Sequence, residues 1–168
     1  MHAHARVGYR RFDPTPSGRG PGLPAMHRLR IAQVTEYYYP HLGGICEHVH
    51  FLAREARLRG HHVDIITSNL DGATDTPNVI RVGQSVPVYS NGSLARITVG
   101  RALRKQVRKV LRDGEYDIVH VHAPLAPSLP LLAVDEAECP VVGTFHTYFE
   151  YSVGYKLGRR YFQRRLSR

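Results

Sequence analysis

No apolar run in this 168-residue sequence approaches the ~20 residues needed to cross a bilayer, and the first 25 residues hold no continuous apolar segment of the secretory kind. Membrane-spanning and exported classes are therefore not expected, and a cytosolic setting is. Cysteine is scarce: Cys46 and Cys139 lie far apart without CxxC spacing, so neither a disulfide framework nor a zinc knuckle has support. No internal repeat is present. Histidine is plentiful, yet no His-x-x-x-His pair stands beside a carboxylate. His48 and His50, two apart on a predicted helix, fall on different sides, and His120 and His122 share one face of a predicted strand. No metal is expected from that pattern. Acid is absent from one twelve-residue run in which Arg101, Arg104, Lys105, Arg108, Lys109 and Arg112 supply six of the 23 basic residues. Lys156, Arg159, Arg160, Arg164, Arg165 and Arg168 concentrate six more at the end of the chain. Charge clustered in this way points to a polyanionic surface, either nucleic acid or anionic lipid.

With 42% hydrophobic residues, the chain is long enough to bury one ordinary core. Residues 1–26, rich in Pro, Gly and Arg and ending at Met26, lack hydrophobic periodicity and read as a disordered or artefactual extension. From Leu29 the pattern becomes regular. Predicted strands cover Leu29–Thr35, His62–Ser68, Asp117–His122 and Pro140–Phe145, with short candidates at Val79–Val82 and Val86–Tyr89. Helices are predicted over Ile45–Arg59, a basic stretch from about Val99 to Arg112, Ala126–Ala137 and Tyr151–Leu166. Such alternation predicts an α/β domain over residues 27–150, a Rossmann-like doubly wound and mostly parallel sheet, with 151–168 as a basic helix opening a further segment. Ligands of such sheets sit at the carboxyl ends of the strands, so the loop after the first strand and His146 after the last should share one crevice.

That loop reads YYYPHLGGICEHV over Tyr37–Val49. Gly43 and Gly44 let the backbone approach a ligand, and the helix starting beside them aims unpaired N–H groups and partial positive charge at the same place. An anion suits that address. A tight strand-to-helix turn would use the same two glycines.

Five ordered motifs add a resemblance: P-H-L-G-G-I-x-x-H-V (40–49), L-R-G-H-H-V-D (58–64), V-Y-S-N-G-S-L-A-R (88–96), Y-D-I-V-H-V-H-A-P-L-A-P-S-L (116–129) and G-T-F-H-T-Y (143–148). Together they resemble the N-terminal half of a GT-B retaining glycosyltransferase of family 4, most similar to phosphatidylinositol mannosyltransferases. The resemblance implies an acceptor-binding domain whose partner, a second Rossmann-like domain holding most of the nucleotide sugar, is absent, so the chain alone is expected not to turn over. It also implies roles: Gly43 and Gly44 as backbone donors to the leaving diphosphate, and His146 beside the transferred sugar. Tyr37, Asn91, Ser93, Arg96 and Thr147 would hold a lipid-linked or phosphoinositol-type acceptor. The donor would be a nucleotide sugar such as GDP-mannose or UDP-hexose, with no further cofactor, and transfer would take place at the inner face of the plasma membrane.

The basic helix fits that setting on its own pattern. Leu103, Val107, Val110 and Leu111 form an apolar stripe, and Arg101, Arg104, Lys105, Arg108 and Lys109 occupy the rest. Each cation near an anionic surface contributes about 1 kcal/mol, which makes five sufficient for reversible attachment. Cys46 and Ala123 depart from the glutamine and acidic residue of the mannosyltransferases and weaken the inositol assignment. Two other readings stay open: a non-catalytic nucleotide- or phosphate-binding module, and a nucleic-acid-binding protein. The lack of interleaved aromatics in the basic helix disfavours the second.

Overall fold

The computed structural model describes residues 27–90 and 93–146, the side chains of residues 90, 93 and 94 excepted. The extension at 1–26, the predicted helix at 151–168, and the site candidates Asn91 and Thr147 lie outside the described residues. So does the side chain of Ser93.

Six strands form one sheet: β1 (Arg30–Val34), β2 (His62–Asn69), β3 (Val79–Ser90), β4 (Ser93–Val99), β5 (Ile118–His122) and β6 (Val141–Thr144). Their order is β4-β3-β2-β1-β5-β6. All adjacent pairs run parallel except β3 and β4. Three helices accompany them: α1 (Gly44–Leu58), α2 (Leu103–Asp113) and α3 (Leu129–Glu136). The expected α/β, mostly parallel, doubly wound class is what the chain adopts.

Alternation along each strand divides the core between two faces. Val63 and Ile65 of β2 pack with Val49 and Ala53 of α1 and with Tyr38. Ala32, Val34, Ile66, Val82, Val119 and Val121 face the other way, against Leu103, Val107 and Leu111 of α2 and Leu129 and Ala133 of α3. The α2 stripe recurs every four residues, so one side of the helix is apolar and the other is left to its cations. Each fully buried aliphatic side chain contributes roughly 1.5–3 kcal/mol, and the central strands are covered on both faces.

Two expectations are revised. The short strand candidates at Val79–Val82 and Val86–Tyr89 are one strand, and the basic helix begins at Leu103, because Ser93–Val99 forms β4. Arg101 therefore sits in the turn before α2. Gly83 is the cause of both misreadings. It breaks the apolar pattern of β3 at the register shift where Ser68 pairs with Val82 but Asn69 pairs with Gln84. Past that point β3 pairs with β4, from Gln84↔Val99 to Ser90↔Ser93. Gly83 has φ +58°, and a Cβ there would lie 2.6 Å from the Val99 carbonyl oxygen and 2.8 Å from the Thr98 methyl.

Gly83→Ala is therefore expected to destabilise the domain by about 1–3 kcal/mol, the cost of a strained left-handed residue, with the contact to Val99 adding to it. Urea unfolding measures this. An unchanged midpoint and slope would disprove the account of the bulge.

Candidate active site

The strand order reverses at β1, whose neighbours on its two edges are β2 and β5. Loops leaving β1 and β5 diverge to opposite sides there and leave a crevice between them. The loop after β1 carries three tyrosines with three different tasks. Tyr38 is buried and shares a 2.8 Å hydrogen bond with His50 Nδ1. Tyr39 donates its hydroxyl to Glu47, and that bond pushes its pKa up to about 12. Tyr37 is half-buried, its ring edge-on to His41 at 4.5 Å. Its carbonyl accepts from Thr35 Oγ1 and, at 3.7 Å, from Cys46 Sγ. Arg81 of β3 donates 2.7 Å to the Tyr39 carbonyl and pins the loop from the side.

Gly43 is the N-cap of α1, with φ 171° and ψ 160°, and no side chain caps the helix. A residue of any type adopts that extended φ. A Cβ on Gly43 would have nothing nearer than His41 at 3.9 Å, and one on Gly44 would meet nothing within 4 Å. Neither glycine is required by the turn. A methyl group would fit at either position, so crowding in the turn does not by itself call for glycine.

Beside that helix start lies a group of four histidines from three parts of the chain. His48 in α1 approaches His122 at the end of β5 with ring centroids 5.6 Å apart, and His146 beyond β6 at 5.1 Å. His122 Nδ1 and His146 Nε2 share a hydrogen bond of 2.9 Å. His120 lies 4.4 Å from His122 and shares a hydrogen bond with Thr144. Burial first, and then neighbouring imidazoles, holds His122 down at about 3 and lowers His120 and His146. These rings are neutral near pH 7. A neutral His146 can both donate to and accept from a hydroxyl, which suits a sugar better than a phosphate. His146 reaches the helix that starts at Gly44 through His48, four residues on, with ring centroids 5.1 Å apart.

The remaining candidates lie elsewhere. Arg96 is on β4, where Nε donates 2.7 Å to Ser85 Oγ and one terminal nitrogen donates to the Ser85 carbonyl. On α2, Arg104 bridges Asp135 at 3.0 Å and Glu136 at 2.6 Å, and Arg108 reaches the same Glu136 at 2.5 Å. Lys109 pairs with Asp113 and Arg112 with Glu138. Arg101 and Lys105 have no ion pair among the described residues. Two of the five proposed membrane contacts are thus already held against α3. The acidic run Asp135-Glu136 and Glu138 was the signal available for this. Among the described residues no helix is long and apolar enough to cross a membrane.

The family model described as Glycosyltransferase Family 4 matches residues 42–168, from the glycine loop to the end of the chain. The chain belongs to this family. The phosphatidyl-myo-inositol mannosyltransferase of Mycobacterium tuberculosis H37Rv is 40% identical over 119 residues, covering 71% of this chain and 32% of that protein. The protein of the same name from Propionibacterium freudenreichii is 35% identical over 147 residues, covering 83% and 39%. The alpha-monoglucosyldiacylglycerol synthase of Acholeplasma laidlawii is 31% identical over 126 residues, covering 73% and 31%. Among solved structures, the catalytic domain of starch synthase IV from Arabidopsis thaliana, bound to ADP and acarbose, aligns with TM-score 0.41 and 16% identity over 72% of this chain and 34% of that one. This family 4 chain spans about a third of the length of its mannosyltransferase relatives.

Sequence reasoning missed His48 and His122 as site residues because no local spacing links positions so far apart. It also missed Glu36, buried just past β1 with no basic partner among the described residues. Ser128 Oγ donates to both its carboxylate oxygens at 2.7 Å, and Ser68 Oγ donates to its carbonyl at 2.6 Å. These bonds join the exits of β1 and β2 to the start of α3, beneath the crevice. Burial raises the Glu36 pKa above its ordinary 4.5, opposed by the hydrogen bonds from Ser128 and Thr98. Between the unfolded and the higher folded pKa the folded chain holds more proton, so stability falls as pH rises through that window. In Glu36→Gln this decline should vanish. Urea unfolding at a series of pH values compares the two proteins, and parallel stability curves would refute the assignment.

Proposed function

We propose that this chain is the acceptor-side domain of a retaining GT-B glycosyltransferase. The enzyme would move a hexosyl group, mannosyl in kind, from a nucleotide sugar to a lipid-linked, phosphoinositol-type acceptor at an anionic membrane surface. One observation carries the reading: two glycines that the backbone does not require stand at an uncapped helix start, in the crevice that His146 also borders. Cleavage of a glycosyl bond to a diphosphate builds negative charge on the leaving oxygen. Fixed N–H donors stabilise that charge where it grows, without reorganisation. His146, neutral and oriented by His122, would hydrogen-bond a sugar hydroxyl and set the position of the sugar over the acceptor. Proton removal from the acceptor falls to the departing phosphate, as the family resemblance implies.

The acceptor side rests on the β3–β4 ribbon. Ser85 steadies the guanidinium of Arg96 and leaves its other terminal nitrogen without a partner among the described residues, available to a phosphodiester. Asn91, Ser93 and Thr147 would add directional donors, and Tyr37 an aromatic wall. Arg101 and Lys105, unpaired among the described residues, lead the electrostatic attraction to lipid, with Lys109 beside them. The relatives named for inositol and diacylglycerol lipids agree with this choice of acceptor class.

A fusion of this chain to the remaining part of the Propionibacterium freudenreichii relative provides the test. It should transfer hexose from a nucleotide sugar to vesicles containing phosphatidylinositol. Gly43→Ala and Gly44→Ala keep their N–H groups and should leave unfolding stability within about 1 kcal/mol of the parent, yet lower kcat because the added methyl stands where the diphosphate must approach. A properly melting fusion without transfer, or glycine variants with full activity, would defeat the proposal.

A further inference from the structure

One ring nitrogen from each of His48, His122 and His146 lies within 4.8 Å of the others. His122 is 1% exposed, and its Nε2 is buried with no hydrogen-bond partner. An orphaned polar atom in a core is costly unless something it can bind reaches it. The group contains no carboxylate, and an all-imidazole set selects zinc-like cations over magnesium or calcium, which favour oxygen. We propose that His48, His122 and His146 form a three-imidazole site for one divalent cation of the zinc class.

The geometry supports three ligands and an open fourth position. Zinc binds imidazole nitrogen at about 2.0–2.1 Å in a tetrahedral arrangement, so the ligand nitrogens must draw in by roughly an ångström from their widest separation. His48, exposed in the early turns of α1, has the freedom to make that movement. His122 cannot move far, being at the end of a strand paired on both sides, with β1 and with β6. His120 stacks against it at 4.4 Å and is itself anchored by Thr144, a second layer that fixes the ring plane. His48 is exposed, so water or an anionic ligand oxygen would complete the shell from that side. His146 is also the group proposed above to meet the sugar, so an ion bound here would replace its hydrogen bond with His122; the inference does not rest on sugar transfer, since the three rings are in place in the chain itself.

The test is zinc titration of the metal-stripped full chain against a chromogenic chelator, with cobalt(II) absorption to report geometry. One zinc per chain and a tetrahedral cobalt spectrum are expected. His48→Ala, an exposed position that leaves the core untouched, should weaken zinc by more than the roughly 10- to 100-fold typical of losing an outer partner. His146→Ala should do the same, while His27→Ala and a His2→Ala/His4→Ala double variant should bind as the parent does. Zinc binding unaffected by His48→Ala, binding abolished in the His2/His4 variant, or no stoichiometric zinc at all would overturn the site.

Discussion

The pairing of β1 on both edges by parallel neighbours is the constraint from which the crevice follows. Residues 30–34 are locked in register with β2 on one side, and Ile31–Val34 with β5 on the other. With no free edge, the chain can leave only from the end of the strand, and the connections to its two neighbours must pass to opposite faces. The loop from Tyr37 to Gly43, the helix start at Gly44 and His122 at the tip of β5 are therefore brought together by backbone hydrogen bonding. Glu36 and Ser128 reinforce the junction as a buried polar link between the exit of β1 and the start of α3.

Much of this could be read from the chain, and the reason differs by element. β2 is buried along nearly its whole length, so its apolar run HVDIITS was visible without any alternation. The end of β1 was legible for the same reason, whereas β6 is mostly exposed and was read from its β-branched pair Val141 and Val142 after a proline; His146 was placed by its position at that strand's end. β4 was hidden because Ala95–Ile97 is half-covered and the strand follows a bulge, so its pattern blended with the helix beyond it. The histidine cluster was invisible because positions 48, 122 and 146 have no common period. Only the sheet order brings them together.

The basic helix shows how local charge counting can mislead. Along the sequence its cations form an uninterrupted block, yet in space Asp135 and Glu136 answer Arg104 and Arg108 at the seam between α2 and α3. Those arginines are half exposed, so the pairs are solvent-screened and modest in strength. They do more to orient the two helices than to stabilise them. A second effect is on the outside: the field of α2 is weaker than its composition indicates, and is concentrated at its N-terminal end around Arg101 and Lys105.

Beyond Gln84, the last partner of β2, β3 and β4 pair only with each other among the described residues, and β4 is the margin of the sheet. The described side chains from Gln84 to Tyr89 and from Ala95 to Ile97 are half-buried or exposed, so substitutions there disturb little else. The crevice is the opposite case, with each residue tied to several elements. A lineage can therefore rewrite the ribbon without disturbing the packing of His48, His122 and His146. A margin free to vary beside a junction that is not is the expected evolutionary signature of this division.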